Sequence, residues 1–383
     1  MRSEPSVIHK KSVSSVSEKP ITGERSLLLI VLSGYYGFDN AGDEALLSAI
    51  CSSIRRIEPG AEFVVLSGCP QKTKNLHQLP AVNRMSPMQV LKVLRKADLL
   101  ISGGGSLFQD ITGPRSLPYY ISIVALAKIL GKPVIFYAQG VGPIQRRFSK
   151  FLMRWWGNKV ELITLRDNSS RELLQELGVV RPPTYVTADP VFTLDPSGEH
   201  YERTEALLQQ YHLKPGKLLG ISVRPWPALE NMRTDLAHFL DALAKEGYQV
   251  VFIPMNYSQD QPESHLIASM MQEQAIVLEE NLSSMEMIAL MTNFKMIIGM
   301  RLHSLIFAAT RGIPFAGISY DPKIDAFLES FGLQPLNGPY KKMYEQVSLL
   351  LQDENRQEQI RRQAEAFRAR AEENAPMALS LIK

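Results

Sequence analysis

The apolar residues of this chain fall in short unbroken runs instead of the strict alternation of a sheet wetted on one side. The runs at 27–32, 61–66, 98–102, 133–137 and 161–165 read as strands covered on both faces, the pattern of a parallel sheet. Between them lie stretches with helix start signals. Gly42-Asp43-Glu44 opens a helix through about Arg56, and Ser86-Pro87 opens another through about Arg95. Further helices are expected near 118–130 and 149–156, and one follows Asp167 or Asn168 as its cap and runs to about Leu177. Strands alternating with helices define an α/β series. Residues 195–216, with Asp, Pro, Gly and a short amphipathic helix, interrupt the series and mark a domain boundary. It restarts with strands at 218–223, 249–253, 275–278, 296–299 and 314–318, separated by helices near 232–246, 261–274 and 283–292.

The expected organisation is a disordered tail over 1–26, an N-terminal domain over 27–197, a C-terminal domain over 198–340 and a charged helical segment over 341–383. In that last segment Ile360, Ala364, Phe367 and Ala371 repeat at helical spacing, which predicts a terminal helix packed over the domains.

Loop chemistry gathers after the strands, where open α/β sheets bind ligands. The first strand ends in Ser33-Gly34-Tyr35-Tyr36-Gly37-Phe38-Asp39-Asn40-Ala41-Gly42-Asp43-Glu44. This is neither G-x-G-x-x-G nor a P-loop, and its two acids at a helix start argue against a bare phosphate cradle. Asp43 and Glu44 suit sugar hydroxyls or a base that deprotonates them; they also suit the helix dipole alone. Gly103-Gly104-Gly105-Ser106 lets backbone approach a ligand, and Gln139-Gly140-Val141-Gly142-Pro143 ends a later strand.

In the second half, Met300-Arg301-Leu302-His303-Ser304 sits where a buried strand breaks at glycine and opens a helix. The helix start suits an anion, Arg301 supplies a planar donor fork, and His303 can give or take a proton near neutral pH. The plain alternative is that Arg301 pairs with a surface carboxylate and His303 caps the helix. Arg224 and Lys323 follow neighbouring strands and belong to the same rim. Two domains with facing strand ends enclose a cleft, its N-terminal rim suited to a polyhydroxyl acceptor and its C-terminal rim to a small anion.

Composition changes this picture little. The 383 residues are 45% hydrophobic and 21% charged, which bounds the chain to an ordinary globular class of two or three domains. No apolar run reaches the roughly 18 residues of a membrane span, and no signal-peptide pattern is present, so a cytoplasmic protein is expected, working at the inner face of the membrane. The net charge of +3 permits an anionic substrate or a membrane contact through the basic tail, and no nucleic-acid partner is expected. Cys51 and Cys69 have no metal or redox spacing, and no metal or cofactor is expected.

Four pieces in order carry a resemblance: Gly34 to Ala45, Ser102 to Asp110, Gln139 to Pro143, and Met300 to Ser304. Together they are similar to the polysaccharide pyruvyltransferases, in particular the CsaB-type enzymes of bacterial cell-wall polymer synthesis, over residues 27–340 or so. The resemblance implies two Rossmann-like domains facing across a cleft, a glycosyltransferase-B-like α/β fold. It implies phosphoenolpyruvate as donor and a lipid-diphosphate-linked amino-sugar disaccharide, with N-acetylmannosamine, as acceptor. The product is a 4,6-ketal and phosphate is released. The donor contacts carried over are Arg301, Leu302 and His303, with Arg224 and Lys323 beside them. The acceptor side falls on Asn40, Gly42, Asp43, Gly103, Gly104, Gly105 and Gln139. His303 is expected as the general acid, Arg301 as the stabiliser of departing phosphate, and Asp43 or Glu44 as the base. The competing class is a nucleotide-sugar glycosyltransferase of the same fold, for which Glu286 is the available ribose carboxylate. A non-catalytic sugar-binding protein is the third reading.

Overall fold

A computed structural model of the chain describes residues 28–382 apart from Thr112. The expected tail over 1–26, and Leu27 at the head of the first strand, lie outside the described residues.

The apolar runs form two parallel sheets. The first contains β1 (Leu29–Tyr36), β2 (Glu62–Ser67), β3 (Ala81–Asn83), β4 (Leu99–Gly103), β5 (Val134–Gln139), β6 (Leu162–Leu165) and β7 (Thr184–Val186), in the order β3-β2-β1-β4-β5-β6-β7. The second contains β8 (Leu218–Ser222), β9 (Gln249–Phe252), β10 (Ala275–Val277), β11 (Phe294–Gly299) and β12 (Phe315–Gly317), in the order β10-β9-β8-β11-β12. Every pairing is parallel. The central strands β4, β5 and β8 are buried throughout, as unbroken apolar runs require when helices cover both faces.

Each sheet reverses its winding once, between β1 and β4 in the first and between β8 and β11 in the second. A crevice opens at such a reversal because the flanking connections leave to opposite faces. The glycine loops follow β1 and β4, and Arg224 and the Arg301–His303 turn follow β8 and β11. The topology thus places all four loops at switch points.

The halves share one core. Ala41, Ala45, Leu46 and Ala49, from the Ala41–Ile57 helix under the first sheet, belong to the same apolar cluster as Met287, Leu305 and Phe307 of the second half. Polar bonds lock this seam. The Ala41 N–H donates to Met255 O (3.1 Å), and Ser284 Oγ donates to Ala41 O (2.6 Å).

Two expectations need correction. The terminal segment is not one helix but three, Tyr340–Gln352, Glu354–Glu372 and Asn374–Leu379, with Asp353 accepting from the Arg356 N–H at the first break. Met343 and Val347 join the core of the second sheet, Ile360 and Phe367 the shared core, and Ala375 and Ala378 a core beneath the first sheet. The segment therefore straps the two halves together. A helix at Pro70–His77 and the short β3 also went unread, because that helix buries only Thr73 and has no apolar stripe to detect.

Phe367 stacks on Phe192 and on Phe331, each with ring centroids 5.2 Å apart, so it bridges the first and second halves. Phe367→Ala is expected to cost about 3–5 kcal/mol. Chemical denaturation should show that loss in one transition for both halves; two separated transitions would show that they fold independently.

Candidate active site

The four switch-point loops converge on one cavity of about 350 Å³. Of the residues singled out from sequence, Asn40, Asp43, Gly105, Arg224, Arg301, Leu302, His303 and Lys323 line it. Tyr35, Ser106, Gln109, Tyr120, Tyr320 and Arg166 complete much of the wall.

The loop after β1 ends at Asn40, whose side chain caps the following helix by accepting from the Gly42 N–H (3.1 Å). This brings the helix start against the second half. A β-carbon at Gly42 would lie 2.1 Å from His303 Nδ1, so glycine is required by the approach of that ring. Gly42 therefore supports the site through His303 and does not line it. The triple glycine divides similarly. Gly104 and Gly105 hold left-handed backbone (φ 73° and 70°), while Gly103 leaves room for Ile50 and accepts from the Tyr36 hydroxyl through its carbonyl (2.8 Å). Only Gly105 reaches the cavity.

One expected acceptor contact, Gln139, and one candidate base, Glu44, are elsewhere. Gln139 is fully buried; its Nε2 donates to Ser102 O (3.0 Å) and its Oε1 has no hydrogen-bond partner among the described residues. Glu44 turns away from the cavity. Its Oε1 accepts from the Gly37 N–H (2.8 Å) and its Oε2 meets His77 Nε2 (2.7 Å), which fixes the glycine loop from behind. Glu44 is therefore a loop anchor that does not line the cavity, whereas Asp43 does.

The cationic residues differ in what they leave free. Arg301 is already paired. Its Nε and Nη2 hold both oxygens of the fully buried Asp260 (3.1 and 2.5 Å), which also accepts the Met255 and Asn256 N–H groups. The carboxylate is buried, not at the surface, and His303 makes no side-chain cap. Arg224 donates to the Tyr320 hydroxyl (2.9 Å) and lies against the rings of Trp226 and Tyr320, with its Nε lacking a partner among the described residues. Burial lowers the pKa of the Lys323 amine from its ordinary value.

Arg166 was missed as a site residue. It follows β6 as Arg224 follows β8, so the strand-end rule that found Arg224 applied equally to it. Its Nη1 donates to Asp189 Oδ2 (3.1 Å) and its Nη2 to Ser106 Oγ (2.9 Å). Gly140 makes the room, since a β-carbon there would lie 2.8 Å from the Arg166 Nε. The rim of the first domain is thus cationic as well as acidic.

The two titrating groups are pushed in opposite senses. Asp43 makes no hydrogen bond among the described residues. Burial, then the charges of Glu44 and Asp189, raise its pKa to about 8 against the opposing pull of Arg166 and Arg301. Burial lowers His303 to about 4, with Arg166 and Arg301 adding to the fall and Asp189 opposing it from 3.9 Å. At neutral pH the carboxyl therefore holds a proton and the imidazole is neutral. A proton on His303, as expected of a general acid, is therefore disfavoured at neutral pH, first by burial and then by the two guanidiniums. Glu286 is a capping-box residue that accepts from the Ser283 N–H (2.7 Å) and does not line the cavity, so it offers no ribose carboxylate there.

Two facing Rossmann-like domains with a cavity at their switch points define a glycosyltransferase-B-like fold. The fold likeness extends to S. aureus MnaA solved with UDP (TM-score 0.62, 13% identity, covering 90% of this chain and 94% of that one). It extends also to a UDP-GlcNAc 2-epimerase from Neisseria meningitidis bound to UDP-GlcNAc (TM-score 0.60, 11% identity, covering 92% and 99%). In sequence, the polysaccharide pyruvyl transferase profile matches residues 40–322, which contain every cavity residue named above except Tyr35 and Lys323, and the chain belongs to that family. The amylovoran biosynthesis protein AmsJ of Erwinia amylovora is 25% identical over 257 residues, a match that spans 63% of this chain and 61% of AmsJ.

Two outcomes are expected. Gly42→Ala displaces the His303 ring and should lower turnover about 10²-fold, read from initial rates on a correctly folded variant. The second concerns pH. Folded Asp43 keeps a proton up to about 8, whereas the unfolded chain loses it near the ordinary 3.8, so stability from this group falls as pH rises toward 8. His303 works the other way: its contribution is complete above 6.5 and lost as pH falls through about 4. Between 6.5 and 8, melting temperatures should therefore show a downward contribution that Asp43→Asn removes.

Proposed function

We propose that the protein transfers pyruvyl from phosphoenolpyruvate to two hydroxyls of a sugar in a lipid-diphosphate-linked polysaccharide precursor. The observation that carries this reading is the cavity that joins Arg166, Arg224 and Lys323 with a protonated Asp43 and a neutral His303. Family membership and the AmsJ likeness support the reaction class.

The donor is a trianion near neutral pH, and three cations at different strand ends hold it by charge and donor geometry. Arg301, fixed by Asp260, adds field without offering its full fork. The Asp43 carboxyl gives its proton to C3 of the enolpyruvyl group, which becomes a methyl and leaves C2 electron-poor. A sugar hydroxyl attacks C2 and its proton passes to the His303 imidazole, forming a tetrahedral phosphate-bearing centre. The C2–O bond to phosphate then breaks, the phosphate leaving with the proton held on His303 and stabilised by the cations, and the second hydroxyl attacks C2 to close the ketal as its proton returns to the Asp43 carboxylate. The acceptor is a hexosamine whose O4 and O6 are both free, N-acetylmannosamine in a disaccharide, and no metal or further cofactor takes part in these steps.

In this scheme kcat/KM follows a bell with limbs near about 4, from His303, and about 8, from Asp43. Asp43→Asn and His303→Ala should each reduce turnover about 10²–10⁴-fold. An Asp43→Asn enzyme with near wild-type turnover would return the acid role to His303. The competing donor is a UDP-sugar, because fold relatives were solved with UDP and with UDP-GlcNAc. Thermal stabilisation by phosphoenolpyruvate and not by UDP-sugars is expected, and the reverse result would overturn the proposal. A mass increment of one pyruvyl group on a tagged disaccharide, with release of phosphate, identifies the product.

A further inference from the structure

The Arg147–Gly157 helix carries a second apolar face that the protein does not cover. Its inward side is Ser149, Leu152, Met153 and Trp156, which are buried or half-buried, with Leu152, Met153 and Trp156 packed in the core of the first domain. Adjoining that side are Phe148, Phe151 and Trp155, spaced three and four apart and therefore on one stripe. They are 63%, 60% and 54% exposed, high values for three large aromatic residues on a single helix. Phe151 and Trp155 stack with centroids 6.5 Å apart. The rings thus form one continuous outward surface.

The rest of the outward face is basic. Arg146, Arg147, Lys150, Arg154 and Lys159 are all exposed, and no acidic residue occurs between 144 and 160. Five cations in this stretch exceed the +3 of the whole chain. None of the five forms an ion pair among the described residues. Asp110, which feels the Arg146 charge, is buried and accepts from the Gln145 and Arg146 N–H groups (2.9 and 2.8 Å). Lys159 lies over the rings of Trp155 and Trp156, 4.7 Å from each centroid, joining the two kinds of surface.

We infer that this helix docks the protein on an anionic lipid bilayer. A stripe of Phe and Trp flanked by unpaired Lys and Arg is suited to the headgroup boundary: the rings enter the upper acyl region and the cations meet lipid phosphates. The surface stays independent of the basic tail at the chain start, and the inference rests on the fold and not on the reaction proposed above. It also has a bearing on the cavity. The Asp110 bonds tie the helix start to the loop after β4, whose Gly105, Ser106, Leu107 and Gln109 line the cavity, so a docked helix holds that loop close to the bilayer where a lipid-borne acceptor would present its sugar.

The test is co-sedimentation of the full-length protein with vesicles of phosphatidylcholine alone and of equal parts phosphatidylcholine and phosphatidylglycerol. Binding to the mixed vesicles is expected, at least about tenfold stronger than to the neutral ones and weakening with added salt. Trp155 emission should shift to shorter wavelength on the mixed vesicles. Phe148→Ser/Phe151→Ser/Trp155→Ser in the full chain should lose binding at least about tenfold, and Arg147→Gln/Lys150→Gln/Arg154→Gln about fivefold for each charge removed. Both variants should keep the wild-type melting temperature and pyruvyl transfer to a water-soluble tagged disaccharide. If the aromatic variant sediments like the wild type, another surface carries the contact and the inference fails. It fails equally if the wild type ignores mixed vesicles but self-associates through this face, seen by light scattering as a dimer that the aromatic variant dissolves. A wild-type protein that binds the mixed vesicles through this face yet transfers no pyruvyl group would support the inference and count against the reaction alone.

Discussion

The contact between the start of the Ala41–Ile57 helix and the His303 ring governs this molecule. The helix belongs to the first sheet, yet its first residue donates to Met255 O, accepts from Ser284 Oγ and adjoins a glycine whose missing β-carbon admits the imidazole. Ala41, Ala45, Leu46 and Ala49 continue the seam as small and medium apolar residues, which lets the two halves approach within side-chain distance. Because this interface is apolar and continuous with the core, the cleft is a built feature of one packed body. The three terminal helices reinforce it, with Phe367 stacked between rings from both halves. The cavity above the seam therefore inherits its shape from core packing, and Asp43, one residue past Gly42, is carried into the cavity wall by the same contact.

That packing also sets the proton balance. Burial penalises any charged form, so carboxyl and imidazole are both driven to neutrality. The driving force moves an acid up and a base down, and one enclosure thereby makes Asp43 a proton holder and His303 a proton acceptor. The flanking guanidiniums act unequally. For Asp43 they are outweighed by burial and by Glu44 and Asp189; for His303 they add to burial. An anion placed in the cavity would change the sum, since negative charge near the imidazole favours its protonation. Anion binding in this pocket and proton uptake by His303 are thus linked in sign.

Much of this was legible in the sequence, for identifiable reasons. Unbroken apolar runs reported strands buried on both faces, and the glycine loops and cations fell at strand ends because parallel topology puts all carboxyl ends on one edge. What stayed hidden depends on distance in space. Asp260 lies 41 residues before Arg301, and no local pattern announces that it consumes the arginine fork. Glu44 and Asp43 are adjacent and chemically alike; only the helix rotation sends one to Gly37 and His77 and the other to the cavity. Arg166 was readable by the strand-end rule but was overshadowed by the capping signal of Asp167 beside it. The breaks in the terminal helix were masked by a charged composition that favours helix almost everywhere.

Arg301 shows how a short motif can reach a cavity wall while its side chain is already committed elsewhere. A bidentate pair with a carboxylate that also accepts two backbone N–H groups is a rigid unit. Desolvating such a pair is costly, and removing either partner strands a buried charge, so its presence at a cavity wall speaks for positioning more than for stability. The Asp260 carboxylate fixes Met255, whose carbonyl receives the Ala41 N–H, and the arginine fixes the turn that delivers His303. One ion pair thus aligns both sides of the seam; Arg166 is held in the same manner by Asp189 and Ser106, which leaves the Arg224 Nε and the Lys323 amine as the less committed donors of the cavity among the described residues.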